Sequence, residues 1–120
     1  MENYAQFIST LFASRTQVHI YHLQTPSYAA HVALQGYYDG IVELADSLVE
    51  SFQGRYGILR GYTTPASFKE DDQLVKYFDA LSKYVENTRT TLPQDSYIQN
   101  EIDNVVALIE GTRYKLKYLS

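Results

Sequence analysis

Apolar residues in this chain return every third or fourth position, so the backbone they belong to is helical along most of its length. In the first stretch Tyr4, Ile8, Leu11, Arg15, Val18 and His22 fall at alternating fours and threes, a stripe broken by an arginine and ended by a histidine. The spacing predicts a helix from about Asn3 to Leu23. Thr25 and Pro26 then read as N-cap and first helical residue, because a hydroxyl can accept an orphan amide bond and proline has no amide hydrogen to lose. The second helix carries His31, Leu34, Tyr38, Ile41, Ala45, Leu48 and Phe52 on one stripe, with Gly54 to close it. From Pro26 to Phe52 it would run roughly 40 Å, a length that suits a bundle.

The stretch 53–66 contains Gly54, Gly57, Gly61 and Pro65 among apolar residues and tyrosines, which marks a connection with some packed side chains. Ser67 with Glu70 three places on matches a capping box, and Leu74, Phe78, Leu81 and Val85 give a third stripe that ends near Arg89. After Thr90, Thr91 and Pro93, a fourth stripe runs through Ile98, Ile102, Val105, Ile109 and Leu116, with Arg113, Lys115 and Lys117 at the negative end of its dipole. The expectation is all-α: one four-helix bundle domain over residues 1–120, whose long second connection lets the chain cross the bundle and enter the third helix from the far end. Twelve tyrosines without a tryptophan predict core walls that are partly hydrogen-bonded.

At 120 residues the chain is long enough for one domain, and 45% apolar with 20% charged residues excludes disorder. No apolar run reaches the roughly 18 residues of a membrane span, and the opening MENYAQ has neither basic residues nor a small-residue cleavage site. A soluble, unexported, cytoplasmic protein is therefore expected. The absence of cysteine removes disulfides, thiolate metal sites and cysteine nucleophiles. A net charge of −4 offers no surplus of Lys and Arg to displace phosphate counterions, so nucleic acid is not an expected partner.

All three histidines, His19, His22 and His31, lie within thirteen residues. Taken singly, each is most simply a hydrogen-bonded packing residue; together they raise the possibility of a metal site. Counted round the second helix from His31 at ~100° per residue, Gln35 lies ~40° away, Asp46 ~60°, Asp39 ~80° and Glu50 ~100°. One face thus bears an imidazole, an amide and three carboxylates. His31 and Asp46 are nevertheless roughly 22 Å apart along one helix, whereas ligands to a transition metal lie about 2 Å from it. One chain cannot close such a site. Antiparallel pairing of this helix with its own copy across a twofold axis can, because it brings His31 of one subunit to Asp46 and Glu50 of the other, with Asp39 and Gly40 near the crossing. A glycine there would let the two backbones approach. His19, at the edge of the first stripe, is the better-placed further ligand; His22 points inward as a packing histidine, and its three-residue spacing from His19 would let it share the site. Arg15, also inward, is placed to pair with a carboxylate from another helix. Two imidazoles and two carboxylates accept iron, and also zinc or manganese.

In both order and spacing, His19, His31, Asp46 and Glu50 resemble the ligand pattern of the Dps-like miniature ferritins, the DNA-binding proteins from starved cells. That resemblance implies a ferroxidase site whose two histidines come from one subunit and whose acidic pair comes from its twofold mate, within a shell of twelve subunits if it follows the family. HLQTPSYAAH, ALQGYYD and LADSLVESFQG also look like small ferritin-like proteins of tailed phages and some bacteria. There are departures. Gln35 stands where the family commonly has an aspartate, Ile20 where a tryptophan often follows the first histidine, and the lysine-rich tail that many Dps proteins use on DNA is missing. Ferritins with a single-chain di-iron site fit less well, since they need a glutamate three residues before a histidine, twice. The leading expectation is an Fe(II)-oxidising homo-oligomer concerned with iron storage or detoxification. The alternatives are a ferritin-like structural or virion-associated protein with a vestigial or zinc-binding site, and a helical adaptor or DNA-binding module unrelated to ferritins.

Overall fold

The computed structural model describes residues 2–119, and among them the secondary structure is entirely helical. Four helices, α1 (Glu2–Gln24), α2 (Tyr28–Tyr56), α3 (Leu74–Thr88) and α4 (Ser96–Tyr118), are joined by a tight turn, a long crossover and a short link that includes a 3₁₀ turn at Arg89–Thr91. The apolar stripes face one core containing Tyr4, Ile8, Leu11, Val18, Leu34, Ile41, Leu48, Phe78, Val85, Ile98, Ile102 and Val105. Burying each such side chain contributes roughly 1.5–3 kcal/mol, and these stripes hold the helices together.

Cross-helix hydrogen bonds fix the directions. Tyr4 Oη donates to the Leu48 carbonyl at 2.8 Å, Ser14 Oγ and Tyr37 Oη lie 2.7 Å apart, and His22 meets His31, so α1 and α2 run antiparallel. Ser82 with Glu110 and Arg89 with Asp103 set α3 antiparallel to α4. Asn3 with Thr91 and Thr10 with Tyr84 set α1 antiparallel to α3. Helices α2 and α3 therefore point the same way, and residues 57–73 must climb the length of the bundle between them. They do so along α1, from Gly61 beside Ala5 and Thr63 N on Ser9 Oγ (2.9 Å), through Lys69 on Gln17, to Asp71 on Tyr21.

Three helix ends differ from the sequence expectation, each for a physical reason. Thr25 does not cap α2: its hydroxyl accepts from Ser27 N (3.2 Å), Pro26 stays outside, and Ser27 is the cap, accepting from Ala30 N. Gly54 lies within the helix, and α2 runs on to Gly57, whose φ of 99° is open to glycine at little cost. The expected capping box at Ser67 and Glu70 does not form, because the chain there is bound to α1. Gln17 clamps both backbone groups of Lys69 at 2.7 and 2.8 Å, and Gln24 donates to Glu70. Helix α3 begins only at Leu74, without a side-chain cap. The tyrosine walls are hydrogen-bonded as expected at Tyr4, Tyr21 and Tyr37, and burial pushes all three hydroxyls above their ordinary range.

Candidate metal centre on the first two helices

Imidazoles join the connected ends of α1 and α2. His22 and His31 stack with centroids 3.6 Å apart and planes at 21°. His22 Nδ1 lies 2.7 Å from the His31 carbonyl, and His31 Nδ1 lies 2.9 Å from the His22 carbonyl. The His22 carbonyl needs such a donor. Its helical partner would be the nitrogen of residue 26, which is proline and has no hydrogen. Since a carbonyl only accepts, each Nδ1 carries the proton, and a neutral ring keeps its lone pair on Nε2. Metal-binding histidines are commonly oriented in this way.

His19 stacks on Tyr38 at 4.3 Å and 18°, and lies 5.8 Å from His22. Arg15 covers the other part of this group, its guanidinium 5.5 Å from the Tyr38 ring, and it makes no ion pair among the described residues. The expected Arg15–carboxylate pairing is thus replaced by a cation–π contact. Tyr38 sits half-buried on this seam, and the fully buried position beside it belongs to Tyr37. His22 is 6% exposed and packed, whereas His19 and His31 are half-buried at the surface of the seam.

The outward face of α2 is centred on Asp39. Within ~60° of it, at ~100° per residue, lie Tyr28, Val32, Gln35, Gly36, Val42, Glu43, Asp46 and Glu50, while His31 stands ~80° away at the edge next to α1. All of these except His31 are exposed. Asp39, Glu43, Asp46 and Glu50 have no hydrogen-bonded or ion-paired side-chain partner among the described residues. Like charges one turn apart cost a few tenths of a kcal/mol each, and no partner among the described residues offsets that here. Glu43 belongs to this face although counting from His31 alone misses it; counting from the exposed centre finds it.

The structure therefore brings His19, His22 and His31 together and leaves Asp46 and Glu50 several turns down α2. Among the described residues no group of three or more histidines and carboxylates is placed to hold a metal ion, so a cation using these ligands needs donors from two chains. Gly40 does not serve a crossing on this face. It is turned toward α4, where a Cβ would stand 3.3 Å from Leu108, and it is Gly36 that has open space in front of it.

A cavity of about 560 Å³ lies at the same end of the bundle, lined by Tyr21, Pro26, Glu70, Asp71, Asp72 and Leu74. Its carboxylates are engaged within the chain: Glu70 by Gln24, Asp71 by Tyr21 and the Gln73 amide, and Asp72 by Gln73. The Gln73 amide and the Tyr21 hydroxyl hold the Asp71 carboxyl below its ordinary range. Among the described residues the acids with no hydrogen-bonded or ion-paired side-chain partner are those on α2, while Glu101 accepts from Ser51 through one oxygen and has a buried second oxygen without a partner.

Among the described residues, no helix is long and apolar enough to cross a membrane. No curated protein and no solved structure matches the chain. Residues 22–116, which take in α2, the crossover, α3 and nearly all of α4, match a protein family of unknown function (DUF5856), and the chain belongs to that family.

Proposed function

We propose that this protein is a Dps-like miniature ferritin, a homo-oligomer that takes up Fe(II) as substrate between twofold-related α2 helices and oxidises it. His31 and His19 of one subunit supply imidazoles; Asp46 and Glu50 of the other supply carboxylates. Iron storage or detoxification would follow from that chemistry. The observation that carries the reading is the placement of two unpaired carboxylates and a histidine edge on the same outward face of α2, with fifteen residues separating His31 from Asp46. Only a reversed copy of the helix can bring them to one ion. Further support comes from the single long crossover, the connection expected of a ferritin-like bundle, and from His31, whose Nδ1 is engaged and whose Nε2 is left for a ligand.

The donors suit the reaction. Imidazole holds Fe(II), carboxylate oxygen favours the Fe(III) produced, and two Fe(II) can pass one electron each to hydrogen peroxide, which with two protons leaves as two waters. Zinc or manganese can occupy the same donors.

A second reading, a ferritin-like structural or virion-associated protein with a vestigial or zinc-binding site, is favoured by neutral Gln35 and by the His22–His31 clasp, which is a helix joint in its own right. Mass in solution and iron turnover separate the two. The ferroxidase reading predicts an oligomer, and a ferric absorbance change on adding peroxide to anaerobic Fe(II)-loaded protein that is lost in Asp46→Ala and His31→Ala. A strictly monomeric protein, or variants that oxidise iron at the wild-type rate, would remove it. Zinc binding without iron turnover would favour the second reading.

A further inference from the structure

The outward face of α2 has two chemically different halves. Before Asp39 it presents Tyr28, Val32, Gln35 and Gly36, with His31 at its edge: hydrogen-bond donors and apolar surface without a carboxylate. After Asp39 it presents Val42, Glu43, Asp46 and Glu50, acceptors with no cation beside them. Tyr28 is 81% exposed and Val32 50%, so this first half has little other cover. Basic side chains are lacking on both halves, and the nearest on the helix is Arg55 beyond them, which lies 3.7 Å from Asp95.

We infer that this face is self-complementary, and that a second copy docks on it antiparallel with its register selected by Gln35. Reversal about Asp39 lays the donor half of each copy along the acidic half of the other. The Gln35 amide then falls within a turn of Glu43 and Asp46 of the second copy, and the Tyr28 hydroxyl falls near Glu50. Parallel pairing would instead set acid against acid along three turns, and like charges directly opposed are destabilising. Gly36, with open space before it, allows close approach on the donor half. Asp39 is the one carboxylate left facing its own counterpart near the axis. On this view Gln35 is not a weakened iron ligand. A carboxylate at that position would lie among the carboxylates of the second copy, and a neutral amide donates to them.

The size of the contact sets its strength. Helix α2 has 29 residues, so it is about 43 Å long, and at about 10 Å wide it covers roughly 430 Å² per copy, against about 800 Å² in a standard stable interface. Pairing through α2 alone is thus concentration-dependent. The seam with α1, bearing Arg15 and His19, is the surface available to extend it.

This inference deepens the twofold part of the proposed function and is separable from its iron chemistry. The test is sedimentation velocity of the full chain in chelator, from micromolar to hundreds of micromolar, on surface variants expected to fold normally. Gln35→Lys should tighten self-association by about fivefold and Gln35→Glu should weaken it by about as much, since each change acts twice across the axis, and Asp39→Asn should tighten it by removing the one like-charge contact on the axis. A protein that stays monomeric throughout, or one whose association is the same in Gln35→Lys and Gln35→Glu, overturns the proposed docking. Association that follows these variants in a protein that leaves Fe(II) unoxidised keeps the docking and removes the ferroxidase reading. Iron oxidation by a protein whose assembly ignores Gln35 does the reverse.

Discussion

The two antiparallel helix pairs handle charge in opposite ways. Arg113 of α4 bridges Asp79 of α3 at 2.7 Å and pairs along its own helix with Glu110 at 2.8 Å, Lys117 reaches Asp79, and Arg89, just past the end of α3, bridges Asp103 at 2.7 Å. Between α1 and α2 no ion pair forms among the described residues. Rings and hydroxyls make that seam, and the carboxylates of α2 face outward without cations. Four of the five carboxylates on α3 and α4, those of Asp79, Glu86, Asp103 and Glu110, are ion-paired within the chain, whereas Asp39, Glu43, Asp46 and Glu50 on the outward face of α2 have no cation among the described residues. That contrast, more than any cavity, locates the candidate functional surface.

The contrast can be broken or sharpened by substitution. Phe78, fully buried from α3 and edge-on to Tyr37 of α2, ties the two pairs together, so Phe78→Ala should cost about 3–5 kcal/mol in urea unfolding. His22→Ala removes the stacked ring and its bond to the His31 carbonyl, and should cost about 2 kcal/mol; a cost near zero would show that the seam does not depend on the clasp. Arg113→Met breaks a partly exposed network and should cost only about 1 kcal/mol, because solvent screens it.

Acid should act on the internally paired charge. The Arg113 guanidinium holds the Glu110 carboxyl below its ordinary range, and the Tyr56 hydroxyl does the same for Asp95. A lowered folded pKa means that the unfolded chain binds more protons in acid. The stability these groups add is therefore full above the unfolded carboxyl values, about 4, and is lost as pH falls through the lowered folded ones. Urea midpoints at descending pH should show the loss, and Arg113→Met should flatten the part due to Glu110. The smallest effect is on α2: in chelator and at low concentration, Asp46→Asn or Glu50→Gln should raise stability by a few tenths of a kcal/mol, because each relieves like-charge repulsion. A clear loss of stability would mean that those carboxylates have partners inside the chain.

The stripes were legible because a helix's buried face depends only on spacing along its own sequence. Tyr4, Ile8, Leu11, Val18, Ile98, Ile102, Val105 and Ile109 are all buried as their periodicity predicts. What was not legible depends on partners distant in sequence. Nothing local in Ser67–Glu70 reveals that Gln17 and Gln24 will hold that segment extended along α1. Nor does the spacing of α2 show that Gly40 meets Leu108 while Gly36 stands open, since that depends on where α4 lies. The candidate site was half legible in the same sense. Its residues could be read from their spacing, and the inward turn of His22 from its stripe, but the His22–His31 joint follows from a missing amide hydrogen at Pro26 and from the tight turn that returns the chain.

Subunit complementation tests the shared site most directly. His31→Ala and Asp46→Ala should each fail to oxidise Fe(II) with peroxide. When the two are dissociated, mixed in equal amounts and reassociated, half of the pairs are mixed, and each mixed pair has one of its two sites intact, so about a quarter of the wild-type rate should return. A mixture as inactive as its parents, or parents as active as wild type, would contradict a site built from two chains.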